Sequence, residues 1–313
     1  MRNFFFTLIT LTFYLLPMSS CDRAAQDATP VKITRLENAI RLYPAGSDAQ
    51  TTRGFSLLSR ILGTEMTEDN IDSLRQTEAF RFFAPDVEQR YASTDTLATS
   101  LGNLRSRWDL SSFPSEIYTI VSPYRQSIIT IDTTAIFIAL NHYMGAGYAP
   151  YESFPEFERR CKIPERIPYD VARALFAAVF PYKTEKSTLL ERICYEGAAL
   201  YAEMKYVNNA DLSTALGWTP EQFEWTGRNE RQAWHNMIER DLIYSESPSV
   251  AARLLRPAPA TTELHSEAPG AFGRYLGYRI VEAYLTGNPD VTLRDFMQRR
   301  LYASPTLLRD AHY

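Results

Sequence analysis

Residues 188–201 read TLLERICYEGAALY, and this stretch predicts the first of two helices that pack closely together. Thr188 followed three residues later by Glu191 is a capping-box pattern, which predicts a helix that begins here and runs to about Val207. Its apolar residues recur at helical spacing, so one face is expected to be buried. Gly197 lies inside this helix, where glycine costs about 1 kcal/mol relative to alanine. We therefore expect another backbone to pass close to Gly197.

A second stretch, residues 269–281 (PGAFGRYLGYRIV), predicts a partner helix of the same kind. The pattern opens near Gly270 and continues to about Leu285, before a Gly-Asn-Pro stop. Gly273 and Gly277 are four residues apart and therefore share one face of the helix. We expect this pair of glycines to form the floor of a tight helix crossing.

Charged residues in these two stretches predict a polar cluster. Glu196 and Arg279 are candidates for a buried ion pair, because a buried charge without a partner is strongly disfavoured. The cluster is either part of the internal packing or a working or remnant polar site, and the sequence leaves both interpretations open. Its predicted members are Glu196, Arg274 and Arg279.

The first half of the chain combines helices with a sheet. Residues 31–43 have the pattern of a strand that continues as a helix. Three runs of β-branched and aromatic residues predict strands, and the third is apolar throughout, which indicates a buried strand: 117–121, 127–131 and 135–140. Further helices are predicted at 55–62, 70–83 and 87–108, the last broken near Gly102. The predicted fold class is α+β and predominantly helical, with a small β-sheet in the first half packed on a C-terminal helical bundle.

The N-terminus has the features of a secretory signal. An apolar run over residues 4–16 follows a positively charged start, and it is shorter than the roughly 20 residues needed to span a bilayer. Small residues directly before Cys21 have the pattern of a bacterial lipobox. An ordinary cleaved signal and an uncleaved anchor are the alternatives. The predicted organisation is a signal peptide at 1–20, lipidation at Cys21, a tether at 21–30 and a single domain at 31–313, with helices plus the sheet over 31–145 and mainly helices over 146–313.

The composition indicates a domain with a packed core. Apolar residues make up 45% and aromatic residues 13% of the 313 residues, which argues against disorder. The formal net charge is −4, and no clustered basic face is evident, so nucleic acid is not an expected partner. Besides Cys21 the chain has Cys161 and Cys194. They are candidates for a disulfide in an oxidising compartment, and two separate buried thiols are the alternative.

The sequence holds no recognisable catalytic or metal-binding motif. No two histidines lie within four residues of each other, so no helix presents a His pair to a metal. There is no phosphate loop and no Gly-x-Ser-x-Gly elbow, and the cysteines lack zinc-ribbon spacing. We therefore predict no catalytic residue, no metal and no cofactor. The histidines are His142, His235, His265 and His312.

Three stretches in order, residues 188–201, 217–222 (GWTPEQ) and 267–281, resemble the GldB-like gliding-motility lipoproteins of the Bacteroidetes. That family is in turn similar to zinc peptidases with a His-Glu-x-x-His helix, so the resemblance implies a zincin-like fold. It places Glu196 where a downstream glutamate ligand would lie. Residues 169–180 would then replace the metal-binding helix, yet they contain no His and no Glu. The resemblance therefore implies a peptidase fold with a degenerate centre.

We therefore expect a non-catalytic lipoprotein, a scaffold or binding component related to gliding motility or secretion machinery. Its expected place is the cell envelope, lipid-anchored to a membrane and facing the periplasm or the cell surface. The expected partners are the membrane, through the lipid on Cys21, and an envelope protein. Residues 148–155 (YAPYESFP) are a candidate contact surface if they do not tuck into the core.

The alternative is an envelope hydrolase, zinc-peptidase-like, that uses an unrecognised site. Such a site would be built from unpatterned metal ligands or from the carboxylates of Glu191, Glu196 and Glu203. Glu196 and Glu203 are seven residues apart and share a helix face. The expectation that Glu196 is paired and Glu203 is exposed argues against this alternative.

Overall fold

A small mixed β-sheet lies in the first half of the chain. The computed structural model describes residues 28–45, 48–123, 126–182 and 187–313, so the predicted signal peptide and Cys21 lie outside the described residues. Three strands run parallel to one another, and β3 runs antiparallel to β4 at one edge, in the order β1-β2-β4-β3. The strands are β1 (Ile33–Arg35), β2 (Glu116–Ile120), β3 (Ile128–Ile131) and β4 (Ala135–Ala139).

Strand β4 lies at the centre of the hydrophobic core of this half. All of its residues are buried, which confirms the prediction from its apolar sequence. Tyr118 of β2 is in register with Phe137 of β4, and their rings stack with centroids 5.0 Å apart. An aromatic pair of this kind contributes about 0.5–1.5 kcal/mol beyond the area that it buries.

Helices make up most of the rest, so the fold is α+β and predominantly helical, as predicted. α7 packs against both β3 and α5 and thereby joins the helical half to the sheet. In the described ranges none of the helices is long and apolar enough to cross a membrane. The helices are α1 (Leu36–Leu42), α2 (Ala49–Leu62), α3 (Glu68–Gln76), α4 (Glu78–Arg90), α5 (Asp95–Arg107), α6 (Glu156–Arg159), α7 (Ile167–Val179), α8 (Leu189–Tyr206), α9 (Leu212–Leu216), α10 (Pro220–Glu239), α11 (Pro248–Leu255), α12 (Phe272–Gly287), α13 (Leu293–Gln298) and α14 (Leu307–Asp310).

Two predicted helix boundaries in the first half are wrong. Helix α4 continues through Pro85, and the break in the predicted helix falls between α4 and α5 rather than at Gly102. Gly102 lies inside α5, where a Cβ atom would be 2.5 Å from the carbonyl oxygen of Thr29. The glycine is needed because the chain at residues 29–30 passes directly over the helix.

Helices α8 and α12 cross at glycines, as the sequence predicted. A Cβ atom on Gly197 would lie 2.0 Å from the carbonyl carbon of Gly277. One on Gly277 would lie 1.8 Å from the carbonyl oxygen of Ile193. Gly273 faces α11 instead, with a Cβ position 3.0 Å from the carbonyl oxygen of Leu254. This close crossing brings charged side chains of α8 and α12 together.

Removing the N-cap of α10 is expected to lower the free energy of unfolding by about 1 kcal/mol. Thr219 Oγ1 accepts a hydrogen bond from the Gln222 backbone N–H at 3.2 Å, and Gln222 Oε1 accepts one from the Thr219 N–H at 3.0 Å. Urea unfolding of Thr219→Ala measures the loss. Ser247→Ala is the matched control, because Ser247 precedes α11 without capping it through its side chain. Equal stability of the two variants would contradict a role for this cap.

Candidate functional site

Six charged side chains converge where α7, α8 and α12 meet, and we name this group the charge cluster. Helices α8 and α12 are locked together by the glycine crossing, and α7 packs along α8. The cluster contains three guanidinium groups and three carboxylates, so its formal charges balance. Its members are Arg166, Asp170, Arg173, Glu196, Glu203 and Arg274.

The most deeply buried part of the charge cluster is the pair of Glu203 and Arg274. Arg274 Nη2 donates to Glu203 Oε1 at 2.7 Å, and the two side chains are only 6% and 1% exposed, respectively. The expectation that Glu203 is exposed is therefore wrong. Glu203 shares a face of α8 with Glu196, and that face turns toward α7 and α12 instead of solvent.

Glu196 is paired, as expected, but not with the predicted partner. Arg173 Nη2 donates to Glu196 Oε2 at 2.5 Å, and Arg173 Nη1 also lies 3.7 Å from Glu203 Oε1. Arg274 Nε lies 3.8 Å from Glu196 Oε2. Of the predicted polar cluster, Glu196 and Arg274 are thus brought together, and Arg173 and Glu203 join them.

Arg279 lies outside the charge cluster, so the predicted pair of Glu196 and Arg279 is wrong. Its Nη1 donates to Glu230 Oε2 at 3.0 Å and to the Tyr275 hydroxyl at 3.2 Å. The physical reason is that Arg274 and Arg279 point to different sides of α12. Arg279 follows Arg274 by five residues, and residues five apart do not share a helix face, whereas residues three or four apart do.

The N-terminal end of α7 supplies the remaining members. Arg166 Nη2 donates to Asp170 Oδ1 at 2.9 Å, and Arg166 Nη1 donates to the backbone carbonyls of Thr214 and Ala215. The hydroxyl of Tyr143 donates to Asp170 Oδ2 at 2.8 Å. Asp170 is therefore held from both sides, between a cation and a phenol.

Burial and pairing act in opposite directions on these charges. Burial raises the pKa of the Glu203 carboxyl, and the guanidinium groups of Arg274 and Arg173 oppose that rise. Burial acts to lower the pKa of Arg173, but the facing carboxylates of Glu196 and Glu203 outweigh it, so the pKa lies above its usual value. The neighbouring guanidinium groups therefore favour the ionised form of the buried Glu203 carboxyl.

The charge cluster offers little to a metal ion. Zinc chemistry in a peptidase needs imidazole ligands and a carboxylate that activates the bound water. α7 contributes Asp170 and Arg173 to the cluster instead, and Arg173 forms an ion pair with the carboxylate of Glu196. Within the described residues no group of three or more His, Cys, Asp or Glu side chains is placed to hold a metal ion.

A groove opens beside the charge cluster, between α4, the carboxyl ends of β2 and β4, and the loop over residues 148–162. It consists of two adjoining cavities of about 610 and 200 Å³. His142, Glu158 and Lys162 line both cavities, and Asp170 of the charge cluster lines the smaller one. We call the two cavities together the groove.

The aromatic loop predicted as a contact surface is divided between core and groove. The hydroxyl of Tyr148 donates to Asp86 of α4, and Tyr151 is buried with its hydroxyl on the carbonyl of Asn141. Phe154, however, is 38% exposed and lines the groove. Lys162 Nζ lies 4.7 Å from the centre of the Phe154 ring. The loop is thus anchored by its tyrosines and presents Phe154.

The candidate disulfide between Cys161 and Cys194 does not form in the structure, where both are free thiols. Cys194 is fully buried in α8, and its desolvation raises the pKa of the thiol. Cys161 lies after α6, where its Sγ donates a weak hydrogen bond to the carbonyl of Phe157. The structure thus has two separate thiols, of which Cys194 is buried and Cys161 is only partly buried.

The residues that sequence reasoning missed had a weak signal. Arg166, Asp170 and Arg173 are spaced three or four residues apart at the start of an otherwise apolar helix, which places them on one face. Charges on a buried helix need partners, so this spacing indicates a polar contact. The carboxylates that pair with Arg173 are on α8, and the packing of α7 against α8 and α12 determines which ones come into contact. The local sequence of α7 does not contain this information.

Comparisons with known proteins identify a family for this fold and site. No curated protein and no solved structure matches the chain. The family model described as gliding motility protein GldB matches residues 21–313. Because this match covers nearly the whole sequence, the chain belongs to the gliding motility protein GldB family.

Proposed function

We propose that this protein is a non-catalytic lipoprotein of the bacterial cell envelope, which binds a protein partner related to gliding motility or secretion machinery. One observation carries the proposal: the charge cluster places Arg173 against the glutamate that would bind metal in a related peptidase. A guanidinium is permanently charged and has no lone pair for a metal. The cluster therefore stabilises the helices instead of activating water.

The sheet supports the view that the scaffold descends from a zinc-peptidase-like fold. Its edge strand β3 runs antiparallel to the other strands, and α7 packs against that strand. The resemblance places the lost metal-binding helix at α7. A zincin-like scaffold with arginine in place of the metal is the interpretation that we propose.

Membrane attachment through Cys21 is part of the same proposal. The lipobox pattern directly precedes Cys21, and the family match begins at this residue. A lipid on the first residue of the mature chain, followed by the short polar segment up to Pro30, would hold the domain close to a membrane surface. The envelope is therefore where we expect the partner.

The purified protein is expected to contain no stoichiometric zinc and to cleave no peptide. Elemental analysis and a peptide-library assay measure both properties. Turnover that disappears in Glu196→Gln would overturn the non-catalytic assignment and support an envelope hydrolase. Crosslinking of the tagged protein in intact cells, followed by pull-down, tests the binding role. Failure to capture any envelope protein would contradict it.

A further inference from the structure

We propose that the groove binds an extended segment of the partner protein in which an acidic side chain lies beside an apolar one. This inference rests on the proposed binding function and names the surface and the ligand chemistry for it. It depends on the ammonium of Lys162, which has no ion pair with any carboxylate of the described residues, on the apolar residues around it and on the position of Glu158.

The positively charged ammonium of Lys162 lies beside two aromatic rings. Its Nζ lies 5.2 Å from the centre of the Tyr151 ring and 4.7 Å from that of Phe154. No carboxylate of the described residues lies within 4 Å of it, in contrast to Lys205, whose Nζ is 3.1 Å from Asp109. Lys162 is partly buried, and burial lowers the pKa of its ammonium, while the nearby carboxylates of Glu158 and Asp170 act to raise it. A carboxylate from outside would restore a partner at a site that is already partly desolvated.

The apolar part of the ligand has matching surfaces around Lys162. Phe83 of α4, Pro123, Phe154 and Pro155 line the larger cavity. Next to Phe83, Phe82 is 54% exposed, and their ring centroids are 4.9 Å apart. Exposed aromatic residues beside a concave site are typical of surfaces that bind protein segments. An apolar side chain therefore has a place to pack next to the ammonium.

Removing the charge of Glu158 gives a second test, because the inference predicts the direction in which the affinity for an acidic ligand changes. Glu158 lines both cavities with Lys162 and precedes it by four residues in the sequence, yet no ion pair joins the two side chains, so their charged groups are more than 4 Å apart. A ligand carboxylate that reaches Lys162 must approach Glu158 as well. Removing the Glu158 charge should therefore strengthen the binding of an acidic segment and weaken the binding of a basic one.

The test uses the full chain in detergent and fluorescence anisotropy with short labelled peptide pools. In one pool a fixed Glu follows a fixed Leu, and in the matched pools Gln or Lys replaces that Glu. We expect the acidic pool to bind, and Lys162→Gln to weaken it about tenfold, as expected for loss of a charge-assisted contact. Lys162→Arg should retain binding, and Glu158→Gln should strengthen it several-fold, by roughly the same electrostatic argument.

Controls separate binding from folding. Lys205→Gln removes a lysine that also lies on an aromatic ring, that of Tyr206, but that does not line the groove, and it should leave affinity unchanged. Thermal unfolding of each variant verifies that the fold is intact. A Phe154→Ser variant should weaken the acidic pool without changing the preference for Glu over Gln.

Three outcomes would overturn the inference: equal binding of the three pools, unchanged affinity in Lys162→Gln, or weaker binding in Glu158→Gln. Failure of the proposed function looks different. Zinc-dependent peptide cleavage would contradict the non-catalytic role whatever the groove binds. Crosslinks from a captured partner that map away from Phe154 and Lys162 would contradict only the groove.

Discussion

Replacing Gly277 with alanine is expected to destabilise the protein by about 3 kcal/mol, at the upper end of what overpacking costs. The new Cβ would lie 1.8 Å from the Ile193 carbonyl oxygen and 2.6 Å from its carbonyl carbon. Backbone atoms cannot move aside as a flexible side chain can, so α12 must shift away from α8. Urea unfolding, read as the free energy of unfolding, measures the effect.

The sign of this prediction separates two physical effects. Alanine is favoured over glycine by about 1 kcal/mol in a helix interior, so propensity alone predicts that Gly277→Ala stabilises the protein. The matched control is Gly227→Ala in α10, where no atom of the described residues, apart from the adjacent backbone of the helix itself, lies within 4 Å of the Cβ position. We expect a gain of up to about 1 kcal/mol there. A gain at Gly277 as well would show that the two helices do not cross closely.

The close helix crossing could be predicted from sequence because its signal is local. A glycine in the middle of an apolar helix is unfavourable unless another backbone passes too close for a side chain. At Gly197 that backbone belongs to α12, and at Gly277 it belongs to α8. The sheet was equally accessible, since the apolar run that forms β4 and the strand-to-helix pattern at residues 31–43 are properties of short segments. The fold class follows from such segments.

The charge cluster could be predicted only in part. Glu196 and Arg274 were expected to take part, and they do. The identity of the partners was missed because ion pairs join helices that are distant in the sequence. Arg173 and Glu203 are 30 residues apart and Glu203 and Arg274 are 71 residues apart. The orientation of the three packed helices relative to one another determines which charges form ion pairs. The spacing of residues within one helix shows which of them share a face, but it does not show which helix that face contacts.

The residues that line the groove could also be predicted only in part from the sequence. The sequence of residues 148–155 predicts an aromatic loop and leaves open whether the loop lies on the surface or in the core. The structure assigns Tyr151 to the core through its hydrogen bond to Asn141 and leaves Phe154 exposed. Lys162 was not recognised, because its role depends on rings that only the folded loop places beside it.

Breaking the buried pair of Glu203 and Arg274 is expected to have the largest effect on stability. Arg274→Met leaves Glu203 fully buried with only the 3.7 Å contact to Arg173. Removing one partner of a buried ion pair typically costs about 3–5 kcal/mol, because the other charge loses its compensation. Glu203→Leu is expected to cost a similar amount, since it leaves Arg274 with Glu196 at 3.8 Å. Chemical denaturation of the two variants measures both values.

The double variant Glu203→Leu with Arg274→Met distinguishes a coupled pair from two independent charges. It removes one positive and one negative charge, so the charge cluster stays neutral and no buried charge is orphaned. We expect it to be several kcal/mol more stable than the sum of the single losses predicts, because apolar replacements of a buried pair are often neutral. Arg279→Met on the same helix is the control, and its half-exposed pair with Glu230 should contribute about 1 kcal/mol or less. Additive losses in the double variant would mean that each charge is stabilised separately, and the charge cluster would then not be the neutral, structural unit that the proposed non-catalytic role requires.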